Sequence, residues 1–329
     1  MKETFLYATR AILPILLTIA AGYVTRRVGS WDQKFYKSLN KLCFHLFLPI
    51  NLFCNIYGIE DLSQTNWGLA GFLFAGIFAS MFLGMILTKW LVRDPLQKGP
   101  MVQASFRSNQ AVLGLPLANA LGGQAAMGFA SIASAICVPL FNVLAVIVLT
   151  IYSGDTKKIN PVQLLGKIFK NPLIMASVSA ILMVGLRQTG MIPAYILRDS
   201  LPSVYKVLMG FGKVASPVML FALGAGLDFK ATGHLFPQIS LGVLTRLVLS
   251  PVLVIGTALM LREPLALTTM EMPTLVAMCA SPVAVSSSVM VQEIGGDDQL
   301  ASQLVVWSSV LSMVSIFVIT FILRAMGTL

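Results

Sequence analysis

Amide, glycine and proline residues cluster inside one apolar segment of the chain, FRSNQAVLGLPLANALGG at residues 106–123. Proline has no N–H and crowds the carbonyl four residues earlier, so Pro116 is expected to leave the Val112 carbonyl free. Amide side chains can both donate hydrogen bonds to a small ligand and accept them from it. The segment therefore predicts an interrupted helix at a polar binding site, with candidate residues Asn109, Gln110, Gly114 and Pro116.

A second segment, MCASPVAVSSSVMVQE at residues 278–293, combines proline with hydroxyl side chains. Ser281 and Pro282 are expected to end a helix, and Ser286 follows as a candidate hydrogen-bonding residue. Broken helices offer N–H groups to anions and carbonyls to cations, and two of them in corresponding halves indicate a transporter's binding site. The alternative interpretation is a pair of ordinary proline kinks packed against neighbouring helices.

Two of the arginines within apolar segments are candidate functional residues, because an unpaired charge there is costly. Arg107 comes just before the expected break in the first segment and is a candidate for holding an anion. Alternatively, its long side chain carries the charge to the cytoplasmic surface. Arg246 is interpreted either as a substrate-binding or gating residue, or as half of a structural ion pair with Glu271 or Asp228.

Further polar residues are candidates for coupling or gating, or for lining the site. Glu271 could exchange a proton or a cation, or could be an exposed loop residue. His45 is predicted to be buried and titrates near neutrality, although a structural hydrogen bond is the alternative. Asn51 and Asn55 share one face of a predicted helix and either face the site or join helices to each other.

The composition determines the elements that must position these residues. Hydrophobic residues make up 57% of the 329 residues and charged residues 11%, whereas soluble domains carry roughly 25% charged residues. Apolar runs recur along the chain, and each is long enough to cross a bilayer core of roughly 30 Å. The chain is therefore predicted to be an all-α polytopic membrane protein, bound in the lipid bilayer. The net charge of +10 lies in short loops, so no nucleic acid partner is expected.

Ten transmembrane helices are predicted from these runs. They span residues 5–25, 39–58, 67–90, 100–122, 126–152, 172–190, 203–226, 236–260, 268–293 and 302–325. The connection at 153–171 is the longest, and a short surface helix is expected in it.

Lysine and arginine are concentrated in alternate loops, around residues 26–41, 89–98, 157–170 and 230. By the positive-inside rule, these loops lie in the cytoplasm and both termini lie outside. We therefore expect a multi-pass protein of the plasma or inner membrane.

Ten spans divide into five and five, and an odd repeat length makes the second half inverted. A Gly-Gly pair follows each interrupted segment, at 122–123 and at 295–296, and Pro49 has a possible counterpart in Pro217. Inverted repeats are common in secondary transporters. The predicted organisation is a first repeat at 1–152, a cytoplasmic linker at 153–171 and a second, inverted repeat at 172–329.

The chain resembles the auxin efflux carrier family over nearly its whole length. SNQAVLGLPLANALGG is similar to the family's fourth-helix motif, and ASPVAVSSSVMVQEIGGDDQLAS to its ninth-helix crossover. NPLIMA, SPVMLFALGAGLDF and SSVLSMVSI also fit the family. The chain departs from plant members at Ser108, where proline is common, and at Val283, where glutamine is common, and it lacks their long hydrophilic loop.

The resemblance implies two inverted five-helix repeats, with broken helices in spans four and nine crossing at the substrate site. It also implies alternating access of the elevator type, on a scaffold shared more distantly with bile acid–sodium symporters. Asn109, Pro116 and Pro282 match the family's crossover residues. A compact bacterial-type member implies transport of a small organic anion, a carboxylate such as malonate or an auxin-like acid.

The expected transport is uncoupled or proton-coupled, with no cofactor and no metal site. Sodium-coupled symport of the bile acid type is one alternative, and a non-transporting membrane receptor is another. An enzyme is not expected, because two histidines without HExxH spacing or paired membrane aspartates offer no catalytic motif. A homodimer is left open as an oligomeric state.

Overall fold

The computed structural model describes residues 2–29, 31–59, 67–153, 161–191, 196–263 and 271–329. Its described residues form helices and connecting turns, with one isolated β-bridge between Ser108 and Val283. The first half contains α1 (Lys2–Val28), α2 (Gln33–Leu42), α3 (Leu48–Tyr57), α4 (Trp67–Leu91), α5 (Pro95–Phe106) and α6 (Leu115–Ile151). The second half contains α7 (Pro161–Lys170), α8 (Pro172–Gln188), α9 (Pro202–Gly226), α10 (Phe229–Leu244), α11 (Ser250–Met260), α12 (Met272–Ala280), α13 (Ser286–Ile294) and α14 (Asp298–Ala325).

Within the described residues, six helical stretches are long and apolar enough to cross a membrane, which confirms the predicted helical, polytopic character. They are Gln33–Tyr57, Trp67–Leu91, Val112–Ile151, Pro202–Gly226, Thr232–Met260 and Asp298–Ala325. The short helix expected in the 153–171 connection is α7, while residues 154–160 of that connection lie outside the described residues. The total of ten spans stays a prediction.

Five helices begin with an aspartate or asparagine whose side chain accepts a hydrogen bond from the first helical turn. The donor–acceptor distances are 2.9–3.0 Å. Such a cap satisfies an otherwise unpaired N–H and contributes about 1 kcal/mol. All five residues lie in loops on the side predicted to be cytoplasmic: Asp32, Asp94, Asn171, Asp228 and Asp297.

In the part of the chain that the structure describes, four turns of π-helix share one sequence feature, a proline two residues after the turn. In each, the residue before the proline donates its N–H to the carbonyl five positions earlier instead of four. The wider turn accommodates a proline that cannot donate its own N–H. The helix continues through three of these turns, whereas Leu201, with φ −130° and ψ 54°, interrupts it after the fourth. The turns are Cys43–Phe47, Gln110–Gly114, Ile196–Ser200 and Thr245–Leu249.

This arrangement corrects the expected place of the break in span four. Pro116 was expected to interrupt the helix, but it is the second residue of α6, where a proline is tolerated. The chain is instead extended at Arg107–Asn109, between the end of α5 and the π-turn. Gly123, with φ +70°, bends α6 further along.

The helices form two groups, judged by their most extensive contacts. The scaffold group consists of α1, α2, α3, α8 and α9, in which α1 packs on α9 and α3 packs on α8. The crossing group consists of α4, α5, α6 and α10–α14, in which α4 packs on α5 and α6 packs on α12. The main contact between the groups is that of α1 with α14.

Two glycines bring α1 and α9 into backbone contact. A Cβ atom added at Gly22 would lie 1.9 Å from the Phe221 carbonyl oxygen, and one added at Gly224 would lie 1.9 Å from the Ile19 carbonyl oxygen. Small residues at such crossings let membrane helices approach closely. The scaffold group is therefore joined by a reciprocal glycine contact.

Candidate functional site

The extended residues of the two broken spans pair with each other. The Asn109 N–H donates to the Pro282 carbonyl at 2.9 Å, and the Ala284 N–H donates to the Arg107 carbonyl at 3.1 Å. Main-chain groups freed by the breaks in the two helices thus satisfy each other, as a low-dielectric interior requires. The predicted interruption of both segments is confirmed.

We call this pairing of Arg107–Asn109 with Pro282–Ala284 the crossing. A serine of α14 supports it from one side. The Val283 N–H donates to the Ser308 Oγ at 3.1 Å, and the Ser308 hydroxyl donates to the Val305 carbonyl. After the crossing, helical structure resumes at Gln110 and at Ser286. The crossing therefore has two helix C-termini, of α5 and α12, and two helix N-termini, of the Gln110–Gly114 turn and α13.

Arg246 lies at the two C-termini and is buried. It donates to the Ser281 carbonyl from Nε at 2.9 Å and to the Cys279 carbonyl from Nη2 at 3.0 Å. Longer contacts of 3.3–3.5 Å reach the carbonyls of Ser105, Phe106 and Met278. The alternative of an ion pair with Glu271 or Asp228 is wrong, because the guanidinium donates to the main-chain carbonyls at the helix ends instead.

The Arg107 side chain contacts Ser286, the first residue of α13, and lines a cleft together with Gln110, the first residue of the π-turn. Its Nη2 donates to the Asn142 Oδ1 at 2.7 Å and to the Ser286 Oγ at 3.0 Å, and Nη1 contacts the Met290 sulfur. The side chain is 4% exposed, so the alternative in which its charge reaches the cytoplasmic surface is wrong. Among the described residues, no carboxylate forms a salt bridge with it.

A cleft opens beside Arg107, between the scaffold group and the crossing group. The crossing group contributes Arg107, Ser108, Asn109 and Gln110 from one broken span and Ala284, Val285 and Ser286 from the other. The scaffold group contributes mainly apolar side chains of α3, α8 and α9, together with Asn51 and Ser216.

Several buried polar atoms along this cleft have no hydrogen-bond partner among the described residues. They are the amide nitrogens of Asn109 and Asn142, the Gln110 Oε1 and the Ser108 hydroxyl. An unpaired buried polar group costs about 1–3 kcal/mol, so such atoms are expected where a ligand binds. Two of the four are N–H donors, which suit an anion.

The predicted site residues divide between this cleft and the packing around it. Arg107, Asn109, Gln110, Ser286 and Asn51 line the cleft. Asn51 also donates to the Gly212 carbonyl at 2.8 Å, which fixes its orientation between α3 and α9.

Ser281 and Gly114 serve the crossing itself. The Ser281 hydroxyl is fully buried and donates to the Ala277 carbonyl at 2.6 Å, so it does not point into the cleft. A Cβ at Gly114 would lie 3.0 Å from the same carbonyl, so glycine lets the π-turn approach α12 closely. Pro282 contributes its carbonyl to the pairing described above.

Glu271 and His45 lie away from the cleft. Glu271 is 7% exposed, which contradicts the exposed-loop interpretation. It precedes α12, about 14 Å along the helix from the crossing. His45 is exposed, contrary to expectation, with Nδ1 3.0 Å from the Lys41 carbonyl. The buried face of this turn is formed by Cys43 and Phe44, and the next residue is rotated away from it.

Sequence reasoning missed Asn142, the main side-chain acceptor for Arg107. It is fully buried in α6, where LFNVLAVIV surrounds a single amide with apolar residues. An isolated amide in such a run was an available signal, because intramembrane polar residues find partners. The Ser308 contact with the crossing had no comparable signal.

Comparison with known proteins identifies the family. The profile described as membrane transport protein matches residues 7–320. An uncharacterized transporter from Methanothermobacter thermautotrophicus is 22% identical over 319 residues, covering 95% of this chain and 97% of that protein. The chain is therefore a multi-pass membrane transporter, not an enzyme, and belongs to the membrane transport protein family, that of the auxin efflux carriers.

Proposed function

We propose that this chain is a secondary transporter of small organic anions, which bind at the cleft beside the crossing. The observation that carries the proposal is the meeting of Arg107 with two half-helix N-termini at one cleft. The substrate class is a carboxylate such as malonate or an auxin-like acid.

The electrostatics of the crossing favour an anion over a cation at the cleft. A helix N-terminus carries roughly +0.5 of an elementary charge, so two of them together bring about +1. Arg107 adds a further positive charge, and its described partners are the neutral side chains of Asn142, Ser286 and Met290. A carboxylate would supply the missing negative charge and accept from the free amide of Asn109.

The lining of the cleft suits a small acid with a short apolar body. Apolar side chains face the polar crossing from the scaffold side, including Leu48, Leu52 and Met219. Sites for small molecules commonly combine apolar walls with few polar groups. The cleft has this kind of lining, with apolar walls on the scaffold side and a few polar groups at the crossing.

The packing pattern supports ten spans in two inverted repeats of five. In that numbering α1 is span one, α3 lies in span two, α8 is span six and α9 is span seven. Span one packs on span seven, and span two packs on span six. These two contacts are equivalent if span one corresponds to span six and span two to span seven, as in two repeats of five. Positive φ angles at Gly123 and at Gly295–Gly296 follow the two interrupted spans in the same order.

The location of the cleft supports alternating access by an elevator movement. Both broken spans belong to the crossing group, and the cleft lies against the scaffold group. Movement of the crossing group along the scaffold would carry a bound anion from one membrane face to the other. In this proposal both termini lie outside and the basic loops lie in the cytoplasm, as the positive-inside rule indicates.

Sodium-coupled symport is the second candidate, and Arg246 argues against it at the crossing. The helix C-termini, which would attract a cation, already hold the guanidinium. Uncoupled or proton-coupled transport is therefore the proposed mode.

Uptake of radiolabelled malonate and other carboxylates into proteoliposomes tests the proposal. Wild type is expected to transport at least one of them independently of sodium, with Asn109→Ala and Pro282→Ala strongly impaired. The experiment includes sodium-free buffer and two external pH values, which separates the coupling modes. The proposal fails if both variants transport every tested carboxylate at the wild-type rate.

A further inference from the structure

Arg246 contacts five main-chain carbonyl oxygens and lies at the ends of two separate helices. Its nearest acceptors are the carbonyls of Ser281, the residue after α12, at 2.9 Å and of Cys279, within α12, at 3.0 Å. The Ser105 carbonyl of α5 lies at 3.3 Å. The side chain comes from a third element, the Thr245–Leu249 π-turn, and is 3% exposed.

The charge of the guanidinium matches that of the helix ends it contacts. Each helix C-terminus carries roughly −0.5 of an elementary charge, so the ends of α5 and α12 together bring about −1. Arg246 brings +1 and five N–H donors in a planar fork. Its position compensates both ends at once, and without it two helix ends would face each other across a buried space.

Converging carbonyls from broken helices are also what coordinates a metal cation in membrane transporters. We propose that Arg246 is a tethered cation, occupying the position that an alkali metal ion would otherwise take behind the crossing. The guanidinium holds α5 and α12 together while the opposite side of the crossing binds substrate. Arg246 is thus a positioning residue that makes the crossing independent of a dissolved cation.

The space around Arg246 makes this role testable by chemical rescue. A small cavity adjoins the guanidinium and is lined in part by Ser80, Gln110 and Ser250. Truncation to alanine would enlarge the cavity and leave the carbonyls facing it. Arg246→Ala is therefore expected to create a site for a free guanidinium ion or an alkali cation.

The test is thermal unfolding of the purified full-length chain in detergent, without substrate. Buffers contain choline, sodium or guanidinium chloride at equal, sub-denaturing ionic strength. Wild type is expected to unfold at one Tm in choline and sodium, and to gain nothing from guanidinium. Arg246→Ala is expected to unfold several degrees lower in choline and to recover with guanidinium or sodium in a saturable manner, as ligand binding requires.

Two results would overturn the proposal. One is an Arg246→Ala variant as stable as wild type in choline, and the other is a destabilised variant that no cation restores. If Arg246→Ala does not fold, Arg246→Lys and Arg246→Gln replace it. The lysine variant must then be the more stable of the two, and equal or reversed stabilities contradict the tethered cation.

One consequence of the inference rests on the proposed function: carboxylate uptake by Arg246→Ala is expected to become cation-dependent. The unfolding measurement needs no substrate and tests the crossing alone. Failure to transport any carboxylate would therefore leave the rescue result intact, and failure of rescue would leave carboxylate transport by wild type intact.

Discussion

The main-chain N–H of Asn109 donates to the Pro282 carbonyl at 2.9 Å, which joins the two interrupted spans at one point. The bond leaves the Asn109 side chain directed at the cleft, with its amide nitrogen unpartnered among the described residues. One residue thus closes the crossing through its backbone and offers a donor to the substrate through its side chain.

Asn109→Ala is therefore expected to separate binding from stability. The backbone bond to Pro282 persists in alanine, so the Tm without substrate should stay close to that of wild type. A hydrogen bond to a charged group contributes about 1.5–3 kcal/mol, so carboxylate affinity should fall about tenfold or more. Isothermal titration of malonate measures the affinity. A large fall in Tm with unchanged affinity would assign the side chain to packing instead.

Arg107→Gln is expected to abolish carboxylate uptake, because it removes the positive charge between the two helix N-termini. Arg107→Lys should retain part of the uptake, since the charge remains while the paired contacts to Asn142 and Ser286 are lost. The matched control is Arg93→Gln, which removes the same charge from an exposed residue. Equal uptake by Arg107→Gln and Arg93→Gln would exclude Arg107 from substrate binding.

Gly224→Ala is expected to destabilise the scaffold group. The added Cβ would lie 1.9 Å from the Ile19 carbonyl oxygen, and such overpacking costs about 1–3 kcal/mol. Gly210→Ala on the same helix is the control, because nothing lies within 4 Å of its Cβ position. Tm should fall in the first variant and stay level or rise in the second. Similar Tm values for Gly224→Ala and Gly210→Ala would mean that α1 and α9 can move apart without loss of stability.

A cross-link between the two helix groups is expected to stop transport. Asn40 of α2 donates to Gln292 of α13 at 2.8 Å, across the boundary between the groups. In a background without the native cysteines, an Asn40→Cys, Gln292→Cys pair bridged by Hg²⁺ should lose uptake and regain it with excess thiol.

The control cross-link lies within the crossing group. Thr232 contacts Gln303 at 3.1 Å between α10 and α14, so a Thr232→Cys, Gln303→Cys pair should tolerate Hg²⁺. Full uptake by the bridged Asn40–Gln292 pair would contradict an elevator movement of one group along the other.

The sequence predicted the broken character of both spans because proline and amides have few roles in a lipid-exposed helix. Ser281-Pro282 located one break directly. The prediction based on Pro116 put the other break at the wrong residues, because the π-turn before this proline keeps the helix intact. Rules for single residues do not include the formation of a π-turn.

The partners of the two arginines were beyond sequence reasoning for a different reason. The contacts of Arg246 with carbonyls of α5 and α12 depend on how three distant elements converge. Main-chain carbonyls are present at every residue and leave no mark in the sequence. The exposure of His45 likewise depends on which face of a helix turn packs inward.

Charge selectivity of uptake tests the central claim most directly. Uptake of external labelled malonate is measured in proteoliposomes containing wild type. The external buffer also contains an excess of either unlabelled malonate or malonamide, its neutral diamide. The account predicts that malonate competes and malonamide does not, because Arg107 and the two helix N-termini select a negative charge. Equal competition by malonamide, or uptake of malonate that is no faster than in empty liposomes, would contradict it.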